Sequence, residues 1–310
     1  VLLITQSFLV TDVRKGSYMT LGSGTHRYEV VEGWGALPDG ISYGYTHGVV
    51  TDRDDNVYIH NQSKDGVVIF NRAGDFLDSW GEQFADGAHG FNINEENGTE
   101  YLYITDQARH DVYKTTLDGK ILMQLGTPEL PAVYEKPEDY TPTDVCVAPN
   151  GDIYVGDGYG KSWVHRYAAD GTRIQSWGGA GSEPGLMLCP HGVWIDARGA
   201  ELLLVVADRG NNRLQTFTLD GVHTGFVTYD LRQPCTVRGH GDELYIPDLQ
   251  SRVTILDRNN DLITHVGDRP GFWRTEGWPN VAHDLRKVGA FSSPHPVWVD
   301  SHGDMYVPEW

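Results

Sequence analysis

Apolar residues in this chain come in short runs that alternate with polar positions and break at Gly, Asp and Asn. A two-residue alternation bounded by turn residues predicts strands, and no convincing 3.6-residue periodicity interrupts it. One strand is written six times, as NVYIHN, YLYITD, DIYVGD, LLVVAD, ELYIPD and DMYVPE, ending at Asn61, Asp106, Asp157, Asp208, Asp248 and Glu309. Five copies continue into a polar loop, a second strand, a turn and a third strand, as in VVIF-NRAG-DFLDSWG. The pairs Ala73-Gly74, Asp118-Gly119, Asp170-Gly171 and Asp220-Gly221 supply hairpin chemistry at those turns. An earlier strand precedes each copy: GVVTD, GFNIN, DVCVA, GVWID, CTVRG and PVWVD.

The unit is therefore four antiparallel strands repeating about every 45 residues, which predicts an all-β, six-bladed β-propeller. The sixth unit stops at Trp310 after its second strand, while HRYEVVEGW (residues 26–34) has the pattern of an outer strand. We expect the N-terminal segment, residues 1–34, to complete blade six and close the ring. VLLITQSFLV at the start reads as a further strand or an ordered arm. Length alone would suggest two domains, but the repeat makes residues 1–310 one.

Charge narrows the partners. Lys and Arg total 24 against 43 Asp and Glu, a net −19 that argues against nucleic acid and anionic membrane surfaces. The leading apolar stretch is too short to span a bilayer. A monomer is expected. Cys146, Cys189 and Cys235 are odd in number and far apart, which implies no disulfide framework and favours a reducing, cytoplasmic compartment.

Candidate chemistry appears when the residues opening the first strand of each unit are aligned: His47, His89, Thr143, His191, Thr236 and His295. With 13 His in 310 residues, four at six equivalent positions is far above chance. The bland reading is a structural hydrogen bond copied with the repeat. Yet His89, His191 and His295 fall in alternate blades, about 120° apart around the axis that the innermost strands line. Three imidazoles converging there, with an open fourth position, describe a catalytic zinc site or one for another divalent transition metal. His47 is expected as a fourth ligand, a neighbouring donor or a proton carrier, the last two preferred.

Loops after the six-fold strand share the histidine face. They hold Lys64, Arg109, Lys161, Arg209 and Arg252, one cation per blade, which hints at a small anionic substrate. Solvated loop charge is the ordinary alternative. The strand-ending aspartates read as turn acceptors. Tyr159, two residues past Asp157, can lean over the metal. Two long insertions, residues 127–140 and 268–293, lie on the same face as pocket walls, the second carrying Trp273, Trp278 and His283.

PTDVCVAPNGDIYVGDGYG, CPHGVWID and VADRGNNRLQTF, with weaker flanks AHGFNI and SPHPVWVD, resemble NHL-repeat propellers, and within them the peptidyl-α-hydroxyglycine α-amidating lyases. The resemblance spans roughly residues 47–310. It implies zinc ligands at His89, His191 and His295, a catalytic Tyr159 and a substrate-side Arg209. Two features depart from that family. SYGYTHGVV lacks the arginine near the start of blade one and offers His47, and His295-Pro296 replaces a His-Asp pair whose carboxylate serves a structural calcium, which argues against calcium here. The expected function is a metal-dependent lyase cleaving a C–N or C–O bond at a hydroxylated carbon, with Tyr159 as a base of depressed pKa and Arg209 holding a carboxylate. The alternatives are a metal-dependent hydrolase or lactonase, and a non-catalytic propeller binding a protein partner.

Overall fold

The computed structural model describes residues 2–6, 20–130 and 132–310, with only the backbone of Leu2, Gln6 and His283. Residues 7–10 of the leading apolar stretch and the side chain of His283 thus lie outside the described residues.

Six antiparallel sheets form the blades of a propeller, five of four strands in chain order and one of five. Blade one runs Thr46–Thr51, Val57–Asn61, Val67–Phe70 and Phe76–Trp80. Its inner three strands are buried on both faces, while Phe76–Trp80 is nowhere fully buried, with Leu77 and Asp78 exposed. Continuous apolar runs such as VVIF suit that double burial, and mixed runs such as FLDSW suit the rim. Apolar clusters fill the spaces between adjacent blades: Val50, Tyr58 and Val67 of blade one pack with Phe91, Leu102 and Ile104 of blade two.

The N-terminal segment closes the ring, in an order different from the simplest expectation. Leu2–Gln6 pairs with Met305–Val307, with Leu3 opposite Tyr306, and His26–Val31 pairs with Leu2–Gln6. Thr20–Ser23 adds an outermost strand, so blade six has five. Side-chain alternation explains the order. Leu3 and Ile4 are both buried, and they enter the two different clusters that flank this blade. HRYEVV, with only Tyr28 buried, suits an outer place.

The strand-ending acids fix the loops of the histidine face. Asp157 accepts from the N–H groups of Thr141 (2.8 Å) and Lys161 (2.7 Å), and Asp248 from that of Arg232 (3.0 Å). Deeper in the channel, the Arg238 guanidinium donates to both oxygens of Asp144 (3.1 and 3.2 Å), to Phe91 O (3.2 Å) and to Val237 O (2.8 Å). It lies 5.5 Å from the Trp194 ring, so one buried cation ties blades two, three, four and five. No helix among the described residues is long and apolar enough to cross a membrane.

Candidate metal centre

Strand register decides which side chains face the axis. In five blades one residue of the first strand pairs with the acid or amide ending the second: Thr46 with Asn61, Ala88 with Asp106, Pro190 with Asp208, Pro234 with Asp248 and Pro294 with Glu309. The next residue turns inward. Those residues are His47, His89, His191, Cys235 and His295. In blade three Thr143 holds the place, its N–H bonded to Gly156 O at 2.8 Å. The sequence alignment set Thr236 in blade five; the register moves it by one and puts Cys235 there. Glycine follows three of the histidines because inner strands crowd at the axis. A Cβ at Gly48 would stand 2.2 Å from Phe91 Cβ, and one at Gly90 would stand 2.5 Å from Asp144 Cα.

The rings of His89, His191 and His295 converge, with mutual centroid distances of 4.8, 4.8 and 5.1 Å. His47 joins them, 4.9 Å from His89 and 4.7 Å from His295. All four are buried. His47, His89 and His295 each bring one donor atom to within 4.8 Å of the others, and so do His191, Cys235 and His295.

Protons are scarce in this cluster. His89 Nδ1 meets Thr143 O at 2.6 Å and His191 Nδ1 meets Cys235 O at 2.9 Å, so both must carry their hydrogen on Nδ1 and present a bare Nε2. Tyr159 Oη touches both Nε2 atoms, at 3.2 and 3.0 Å, but has one hydrogen to give. Both nitrogens of His47 and of His295 are buried without a partner of good geometry. Burial holds His89 down to about 3 and keeps His47, His191 and His295 well below the ordinary imidazole value, with Arg209 and the neighbouring histidines adding to it. Neutral lone pairs that outnumber the available hydrogens suit a divalent cation, so the residues fit the group.

Above the cluster, Tyr159 is 37% exposed, yet its hydroxyl end sits among His89, His191 and Arg209, whose Nη1 lies 3.3 Å away. Burial pushes the phenol up to about 12, with Arg209 pulling against it. This corrects the depressed pKa expected from the cation alone: desolvation outweighs one charge. Arg209 is placed beside Tyr159 rather than against Asp157. The other loop cations do not gather here. Arg109 pairs with Asp106 (2.8 Å), Lys161 with Asp139 (3.2 Å) and Arg252 with Asp248 (2.8 Å), while Lys64 is exposed.

A cavity of about 390 Å³ opens over the cluster, lined by Tyr45, His47, Gln62, Gln107, Tyr159, Asn280 and Trp310. A neighbouring one of about 550 Å³ shares Tyr45, Gln62 and Trp310 and adds Arg286. Both thus draw on the 268–293 insertion. The amides were invisible to a search built on charge. Cys235 had a signal: Pro234-Cys235 stands as Pro190-His191 and Pro294-His295 do.

The family model for the NHL repeat matches residues 140–167, the stretch that carries Asp157 and Tyr159. The chain carries an NHL repeat. It is 32% identical over 175 residues to a probable peptidyl-alpha-hydroxyglycine alpha-amidating lyase of Caenorhabditis elegans, covering 55% of this chain and 47% of that one. It is 29% identical over 203 residues to the human NHL repeat-containing protein 3, covering 62% and 57%. The chain thus spans about half the length of these curated relatives. Among solved structures, a gluconolactonase of Xanthomonas campestris shares the fold at 14% identity, with a TM-score of 0.61 over 85% of this chain and 86% of that one.

Proposed function

We propose that this propeller is a metal-dependent lyase, cleaving a C–N or C–O bond at a hydroxylated carbon of a small anionic substrate, similar to the amidating lyases. One observation carries the reading: a single phenol oxygen, that of Tyr159, meets two bare imidazole nitrogens and a guanidinium at the floor of an open cavity.

His89, His191 and His295 would hold the ion. A divalent ion there, zinc above all, supplies Lewis acidity that lowers the pKa of a hydroxyl. Arg209 offers two parallel N–H groups to a substrate carboxylate and so orients the substrate against the histidines. The Tyr159 oxygen stands where it can exchange a proton with the substrate hydroxyl. His47, which lines both the cavity and the cluster, can return a proton to the leaving atom. For a carbinolamide the balance is simple. The O–H proton leaves, C=O forms, the C–N electrons go to nitrogen, and nitrogen takes up a proton, with no water consumed.

The test is product analysis on zinc-loaded protein given an N-acyl-α-hydroxyglycine with a free carboxylate. The expected products are an amide and glyoxylate in equal amounts, whose masses sum to that of the substrate. Protein that leaves this substrate intact and opens a lactone with uptake of water would replace this reading with the hydrolase one.

A further inference from the structure

We infer that Cys235 is a ligand of the axial ion, so that the ring binds through sulfur as well as nitrogen. The inference rests on the metal reading above and concerns a residue that reading does not use.

Register is the first support. Pro190, Pro234 and Pro294 pair with Asp208, Asp248 and Glu309 in the same way, so the residues that follow, His191, Cys235 and His295, project alike from blades four, five and six. Distance is the second. One donor atom from each of these three lies within 4.8 Å of the other two. Burial is the third: His191 and Cys235 are 0% exposed and His295 is 1%. The sulfur's contact with Gln233 O is long, at 3.8 Å, the Arg209 guanidinium lies beside it as a thiolate would favour, and neither ring nitrogen of His295 has a partner of good geometry. The sulfur and a ring nitrogen of His295 are thus close enough to share one ion.

The remaining cysteines lack this placement. Cys146 packs in the apolar cluster between blades three and four, and Cys189, in a left-handed backbone conformation (φ 61°), precedes the inward position by two residues. Ligation forms a metal–sulfur bond and releases the thiol proton to solvent. A thiolate in the set favours zinc or cobalt over the hard cations magnesium and calcium.

Cobalt(II) titration tests this, because sulfur-to-cobalt charge transfer absorbs in the near ultraviolet and is separate from the visible d–d bands. Wild type and Cys189→Ser should show both features. Cys235→Ser should keep the d–d bands and lose the charge-transfer band. A band that survives Cys235→Ser overturns the inference, as do wild-type d–d bands without charge transfer, and either leaves the metal reading standing. Protein that takes up neither cobalt nor zinc overturns both. X-ray absorption of zinc-loaded wild type needs no variant: a sulfur scatterer at about 2.3 Å is expected, and a shell of nitrogen and oxygen alone overturns the inference.

Discussion

Arg209 is a half-buried guanidinium that donates to the Tyr159 phenol and lies beside the thiols of Cys189 and Cys235. Most buried or half-buried arginines among the described residues are spent on carboxylates, as Arg213 is on Asp208 (2.7 Å) and Arg198 on Asp196 (2.8 Å). Arg209 faces a phenol and two thiols and is paired with no carboxylate among the described residues. Its loss should therefore appear in catalysis rather than in folding. Arg209→Ala should cost about 2–4 kcal/mol in kcat/KM, or about 30- to 900-fold, with metal content and melting temperature unchanged. Arg209→Lys should recover little of this, because an ammonium cannot make two parallel bonds to a carboxylate. Steady-state kinetics with elemental analysis checks it, and normal kinetics in the alanine variant would remove Arg209 from substrate binding. This residue was legible as one of five loop cations, one per blade, and the amidating-lyase resemblance singled it out among them. Its distinction from Arg109 and Arg252 was not legible from sequence spacing, which does not show which loop carboxylate lies across from each.

At the scale of elements, the 127–140 insertion is fastened to blade three by a buried chain of polar groups. Tyr134 O–H donates to Asp157 (2.7 Å), so its oxygen accepts from His165 Nε2 (2.8 Å), and His165 Nδ1 accepts from Ser176 Oγ (2.8 Å). The bond accepted at Nδ1 requires His165 to be neutral, and burial holds it down to about 3. An unfolded His165 takes up its proton near pH 6.5. The unfolded state therefore binds more protons between pH 6.5 and about 3, and stability should fall as pH drops through that window. Urea titrations across it should show a shallower pH dependence in His165→Gln than in wild type, by on the order of a few kcal/mol at the acid end. Equal slopes would contradict the assignment. The blades themselves were plain in the sequence, since six copies of one strand fix period, strand count and face. What escaped was register within a copy. CTVRG aligns by its apolar residues as well one step out as in step; the preceding Pro234 was the signal that favoured Cys235, and the pairing of Pro234 with Asp248 bears it out. The place of Leu2–Gln6 between the two halves of blade six was likewise hidden, because strand order within a sheet is not written in alternation.

For the whole molecule, the channel is bound at two depths. The deeper one is the Arg238–Asp144 pair, buried to 4% and 0%. Arg238→Met should destabilise the fold by about 3–5 kcal/mol by stranding Asp144, and Asp144→Asn in the same chain should restore much of it. Denaturant midpoints of the two variants measure this, and equal losses would show that Asp144 is not dependent on Arg238. The upper one is the donor ring, drawn from five blades. An ion that binds the folded ring and not the open chain stabilises it by mass action. The melting temperature should rise with added zinc and return on chelation, and an unchanged temperature would mean that nothing binds. A further consequence lies in the bonds that orient the imidazoles. His89 is aimed by a carbonyl of blade three and His191 by one of blade five, so each donor is steered by its neighbour rather than by its own strand. Such a ring works like the hoop of a cask, where no stave loosens alone. Escape of an ion seated there would wait on the parting of blades, and its rate would carry the steep temperature dependence of unfolding rather than the shallow one of exchange at an exposed site.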